Sequence, residues 1–121
     1  MSTPTGHTTA IRASEVIGTS VRAKSGENIG TVQDVVLDKT SSRIMFAVVS
    51  IGGVTTTSGS YHPVPWSVLD YDPEKSAYVL AFSKDEVARG PAVSMLSELT
   101  KHDGADHRQA ADRHYKVAPD R

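Results

Sequence analysis

The apolar and polar positions of this chain are organised around one stretch, Gly26 to Ile51, with the sequence GENIGTVQDVVLDKTSSRIMFAVVSI. It reads as a turn, a strand, a second turn and a longer, nearly all-apolar strand. Between Ile29 and Leu37, side chains Ile29, Thr31, Gln33, Val35 and Leu37 share one face. Gly30, Val32, Asp34 and Val36 share the other, because successive strand residues point to opposite sides. Asp34 sits among apolar neighbours, and this predicts a bulge near Gln33–Asp34. From Arg43 to Ile51, residues Ile44, Phe46 and Val48 face one way, and Met45, Ala47, Val49 and Ile51 the other. A strand with one wet face alternates apolar and polar residues. This one is apolar on both sides, so its outer face needs a cover: the C-terminal tail or a second copy of the protein.

The flanking pattern is shorter-ranged. Met1 to Ala10 is Ser, Thr, Pro and Gly with almost nothing to bury, and is expected to be disordered. Ser14 can cap a single helical turn containing Val16 and Ile17, which Gly18 ends. Thr19 to Ala23 reads as a strand. Lys24 to Asn28 is a hairpin loop in which Gly26 or Asn28 can take the positive φ of a tight turn. Asp38 suits the next turn as an acceptor. Gly52 to Ser60 is expected to be a long flexible loop. In Tyr61 to Trp66, Pro63 and Pro65 are two apart, so both missing N–H groups fall on one side and mark an edge. Val64 and Trp66 can then point into the core. Ser67 to Asp70 is a short capped turn, and Asp72 to Lys75 another turn. Ala77 to Phe82 is the last strand, with Tyr78, Leu80 and Phe82 on one face. Ser83 to Glu86 fits a capping box and starts a short helix that Gly90-Pro91 ends.

Five or six short strands joined by tight turns predict an all-β fold, a small antiparallel barrel. The domain spans residues 11–91, between the tail at 1–10 and a tail at 92–121. In that second tail Val93, Leu96 and Leu99 recur at roughly helical spacing, and Asp106 to Tyr115 is polar and helix-compatible. Such a segment cannot stay folded alone. It docks through Leu96, Leu99 and Tyr115, or it frays.

Composition narrows the chemistry. The chain has 121 residues, enough for one small domain plus tails. Thirteen basic against 14 acidic side chains give a net charge of −1, which argues against direct nucleic-acid binding. There is no cysteine, which excludes disulfides and thiolate chemistry. No apolar run approaches the ~20 residues of a membrane-spanning helix. The N-terminus lacks both the basic start and the apolar core of a signal peptide. The expectation is a cytoplasmic protein.

No residue set reads as an active site or cofactor site. Asp34 and Asp38 could form a carboxylate pair, but bulge and turn residues satisfying backbone donors are the commoner case. Trp66 could stack on a ligand ring; buried aromatics more often fill small cores. His102, Asp103, Asp106, His107 and His114 lie close in sequence. On a helix, however, His107 and His114 are separated by Ala111, which breaks adjacent-turn chelation. His62, which can titrate near neutrality, reads as an exposed edge-strand residue. The glycines at 52, 53 and 59 do not have phosphate-loop spacing.

Taken in order, these pieces resemble the PRC-barrel family. The matching residues are Ile11-Arg12-Ala13-Ser14 with Ile17-Gly18, Gly26-Glu27 with Ile29-Gly30, and Val32 with Asp34. Leu37-Asp38, the apolar strand to Ile51, Gly52-Gly53 and Pro63-Val64-Pro65-Trp66 with Leu69 complete the set. The tail residues His114-Tyr115-Lys116-Val117 are also similar to those of stand-alone bacterial members. The resemblance implies a small β-barrel, with Gly26, Gly30, Asp34, Asp38, Gly52, Gly53, Pro63, Pro65 and Trp66 as structural positions. Ser42 stands where relatives often carry glycine, and Thr55-Thr56-Thr57 where they are more glycine-rich or apolar.

The expected function is a non-enzymatic interaction module that self-associates as a homodimer, its cellular partner unknown. About 80 barrel residues bury a limited share of their surface, and an uncovered apolar face usually marks an interface. Met45, Ala47, Val49 and Ile51, with Leu96 and Leu99 from the tail, are the expected interface. Two alternatives come by analogy with the family. One is a ribosome- or RNA-associated factor like the maturation factor RimM. The other is an accessory subunit tuning a redox or quinone site, like the reaction-centre H subunit.

Overall fold

A computed structural model describes residues 11–51 and 61–117. The expected disorder at 1–10 and the loop at 52–60, with Gly52 and Gly53, fall outside the described residues. The chain begins with one helical turn, α1 (Ala13–Val16), followed by β1 (Ser20–Ala23), β2 (Asn28–Asp38) and β3 (Arg43–Ile51). Next come β4 (Tyr61–Pro65), a 3-10 turn (Trp66–Val68), β5 (Asp70–Asp72), β6 (Ala77–Leu80) and α2 (Lys84–Ala88). A 3-10 segment (Leu96–Gly104) and α3 (Ala105–His114) complete the chain.

The all-β antiparallel barrel expected from the strand pattern does not form. Helical turns take 32% of the structure and strands 38%, so the fold is mixed α/β. The six strands make one open, uncurled sheet in the order β4-β3-β2-β1-β6-β5. The β1–β6 ladder is parallel, with Ser20 opposite Ala77 and Ala23 opposite Leu80. The edges explain why the ends do not meet. On the outer side of β4, the Tyr61 N–H donates to the Val93 carbonyl at 3.0 Å, and the Val93 N–H returns the bond at 2.8 Å. The next residues facing that side are Pro63 and Pro65, which have no N–H to offer. At the opposite edge β5 is only three residues long and carries two carboxylates, Asp70 and Asp72. Short charged edges resist strand pairing.

Local signals explain most element boundaries. Gly26 takes φ +97°, so the β1–β2 hairpin uses this glycine, and Asn28 instead opens β2. Ser83 accepts from the Glu86 N–H at 3.1 Å while Glu86 accepts from the Ser83 N–H at 2.8 Å, a complete capping box for α2. Ser14, expected as a cap, lies inside α1; the flanking Arg12 makes no side-chain cap, and its carbonyl accepts from Glu15 and Val16 instead. The β2–β3 register shifts between Val32 and Asp34, leaving Gln33 as the bulged residue near the expected place. A second shift leaves Met45 as the extra residue between Phe46, opposite Val36, and Ile44, opposite Leu37.

The two faces of β3 bury into different clusters. Ala47 and Val49 join the main core with Val21, Ile29, Val64, Tyr78 and Leu80. Phe46 and Val48 pack with Val93 and Leu99 in a second cluster, and Met45, displaced by its bulge, packs there too. Segment 93–99 of the same chain therefore covers the second face. Ala111 of α3 and Tyr115 just beyond it join the main core. Each fully buried Val, Leu or Phe side chain contributes about 1.5–3 kcal/mol, so the docked tail is part of the fold.

Candidate functional site

Three separate parts of the chain meet at the far end of the β2–β3 hairpin: the hairpin itself, the Trp66 turn and α3. β1 pairs with β2 only through residues 28–31, and Val32 bonds to Gly18 and Thr19. Beyond that point β2 keeps β3 on one side and, among the described residues, has no strand on the other. The hairpin end therefore projects past the sheet. Asp34 guards this bare edge: its carboxylate accepts the Val35 N–H at 2.8 Å, occupying a donor that an incoming strand would use.

At the turn, Asp38 accepts from the Thr40 N–H at 2.9 Å and the Ser41 N–H at 3.3 Å. The Ser41 side chain, the backbone donors and Arg108 hold the Asp38 carboxyl below its usual range, Ser41 contributing most. Ser42 sits at φ +63°, a left-handed conformation that glycine adopts more easily. Both acidic residues thus accept from backbone donors.

Apolar side chains surround this turn. Leu37 is 61% exposed, while Val36, Ile44 and Met45 are half-buried. A cleft of about 390 Å³ opens between the β3 start, the Trp66 turn and α3, lined by Asp38, Ser41, Arg43, Ile44, Met45, Trp66, Ser67 and Arg108. Two further hollows of about 310 and 380 Å³ flank Leu37. Trp66 leans edge-on against Tyr78 at 5.8 Å between ring centres, so its ring is shared between core and cleft. The Arg108 guanidinium stands 3.8 Å from the Asp38 carboxylate.

The expected interface residues divide differently. Ala47 and Val49 are 0% exposed and Leu99 is 1% exposed, so their area is already spent inside one chain. Met45, Ile51 and Leu96 are half-buried, and only Met45 lines the cleft. Both faces of β3 meet the tail: Phe46 and Val48 pack with Val93 and Leu99, while Ala47 and Val49 lie in the main core that Ala111 and Tyr115 also join. Pro63 and Pro65 lie on the edge strand, and Gly30 pairs with Val21 and Ile51.

The histidines fasten the tail. His62 is buried at 3% exposure, a correction to its expected exposure, and its Nδ1–H donates to the Pro91 carbonyl at 3.2 Å. Burial pulls its pKa below the ordinary imidazole value. His114 Nε2–H donates to the Glu86 carbonyl at 2.8 Å, and His107 Nε2–H to the Glu98 carbonyl at 3.0 Å. The His114 ring also lies against Gly90, where an added Cβ would come within 2.8 Å of Cδ2. His102 pairs with Asp106 in the open at 3.3 Å. Among the described residues no three His, Asp or Glu side chains converge on a metal position. Arg43 and Arg108 were not singled out by sequence reasoning, and Leu37 was read only as a strand residue matching the family. Arg108 lies on a polar helix with no local cue that it reaches the hairpin.

Residues 8–87 match the family model described as the PRC-barrel domain, two thirds of the chain. No curated protein matches the chain. Among the described residues no helix is long and apolar enough to cross a membrane.

Proposed function

This chain belongs to the PRC-barrel family, and from that premise we propose that it pairs with a second copy of itself through the end of the β2–β3 hairpin. PRC-barrel domains are non-catalytic and generally act as protein-interaction modules. The observation that carries the reading is Leu37, 61% exposed on a projecting arm and next to half-buried Val36 and Ile44. Burying such a cluster against its copy removes apolar area from water. A twofold contact requires a surface that carries its own complement. Asp38, Lys39 and Arg43 place both charge signs around the apolar centre, and a net charge of −1 leaves little repulsion between copies. Strand addition is the less favourable route, since the proline edge, the acidic edge and Asp34 obstruct it.

Light scattering on the eluting full chain is expected to give a dimer mass at micromolar concentration. Leu37→Asp is expected to give a folded monomer whose melting transition no longer depends on protein concentration, as that of the dimeric wild type does. A monomeric wild type at ~100 μM, a concentration at which pairs weaker than about −5.5 kcal/mol stay apart, would overturn the proposal.

A further inference from the structure

We propose that the cleft between the β3 start, the Trp66 turn and α3 binds a small organic carboxylate carried on an apolar body. This goes beyond self-association and does not rest on it: Asp38, Arg43 and Ile44 border both surfaces, but Trp66, Ser67 and Arg108 belong to the cleft and Leu37 does not line it.

The argument starts from unmet donors. Arg108 is 30% exposed, and its contact to Asp38, at 3.8 Å, is too long for a hydrogen bond. No other partner approaches its guanidinium among the described residues. Arg43 opens onto the same cleft, is exposed, and makes no ion pair among the described residues. A guanidinium presents five N–H donors in a planar fork suited to carboxylate oxygens. The one nearby carboxylate is turned to its own loop: Asp38 Oδ1 accepts from the Thr40 and Ser41 N–H groups, and Oδ2 stays 3.8 Å from Arg108. Two guanidinium charges against one carboxylate leave the cleft at +1.

The rest of the lining sets the other half of the ligand. Ile44, Met45 and Trp66 supply an apolar wall, and about 390 Å³ lies within the range of small-molecule sites. The site is also held in place. Trp66 is braced by Tyr78, and α3, which carries Arg108, is anchored through Ala111 and Tyr115 in the core. Little ordering is then needed on binding, which favours affinity. The rival reading is a solvated gap in which the arginines merely drape their stems over apolar surface.

Trp66 is the sole tryptophan and lines the cleft, so fluorescence excited selectively at the indole follows this residue. The full chain would be titrated with benzoate, with hexanoate and with the neutral isostere benzamide. Saturable changes with the two carboxylates and none with benzamide are expected. Arg108→Ala and Arg43→Ala should each weaken benzoate about tenfold or more, the scale of a lost charge-assisted hydrogen bond. Asp38→Asn keeps an acceptor for the turn and should tighten benzoate binding. On Leu37→Asp, which removes self-association, benzoate should still bind saturably and in preference to benzamide, and adding Arg108→Ala should still weaken it; loss of binding in Leu37→Asp would tie the site to the dimer and overturn it as a separate site. Equal responses to benzoate and benzamide, no response to either carboxylate, or unaltered binding in both arginine variants would overturn the proposal.

Discussion

The two ends of the β2–β3 ladder share residue types but not surroundings. At the base, Phe46, Ala47, Val48 and Val49 are all 0% exposed, with the main core on one face and the tail segment on the other. At the tip, Leu37 is 61% exposed and Ile44 and Met45 are half-buried, with no strand beyond β2's edge among the described residues. Hydrophobicity alone does not distinguish these positions. Cover does: the base lies beneath residues 93–99, and the tip projects past them. The base therefore contributes to stability, and the tip leaves area for recognition.

Substitutions at each end test this contrast. Phe46→Ala empties the centre of the second cluster and should cost about 3–5 kcal/mol in denaturant unfolding. Leu99→Ala removes its cover and should cost about 2–5 kcal/mol, which would mark the tail as part of the fold. A loss below about 1 kcal/mol for Leu99→Ala would mean that the tail does not cover β3 in solution. Tyr115→Phe should stabilise by about 1 kcal/mol, because the buried hydroxyl has no hydrogen-bond partner among the described residues.

A pH titration bears on the base from another side. His62 lies opposite Val49 and tethers Pro91, and burial lowers its pKa in the folded chain; the nearby His114 also disfavours its charge. The unfolded chain therefore takes up the proton first as pH falls below the ordinary value near 6.5. Stability linked to His62 is complete above that value and declines below it, until the folded pKa is reached. His62→Gln should flatten this part of the stability profile. Smallest of all, Leu37→Ala should change monomer stability by less than about 0.5 kcal/mol, as exposed positions do. A larger loss would show that the tip, like the base, is packed within one chain.

Some features were legible because they depend on neighbours in sequence. Pro63 and Pro65 marked an edge strand, Ser83 and Glu86 started a helix, and Asp34 pointed to the bulge at Gln33. The apolar run at 43–51 matched β3 and correctly required cover on both faces. Ala47 and Val49, expected at the interface, are buried in the main core because alternation gives two faces without saying what covers each. The second bulge at Met45, which moves that side chain across, had no sequence mark. The barrel expectation failed for a related reason: counting strands does not tell whether the first and last can pair. The exposed reading of His62 failed because edge position describes the backbone, and the residue's side chain is covered by the Pro91 segment.

By itself the amino-acid sequence determined where the strands, turns and capped helix fall, since these follow from side-chain periodicity, proline and glycine geometry and short-range hydrogen bonds. Tertiary structure alone decided that the sheet stays open, that the tail covers its own β3, and that Arg108 meets Asp38 and Trp66 across 70 and 42 positions of chain. Those outcomes depend on long-range packing, in which each apolar surface takes whichever cover the chain's topology can deliver.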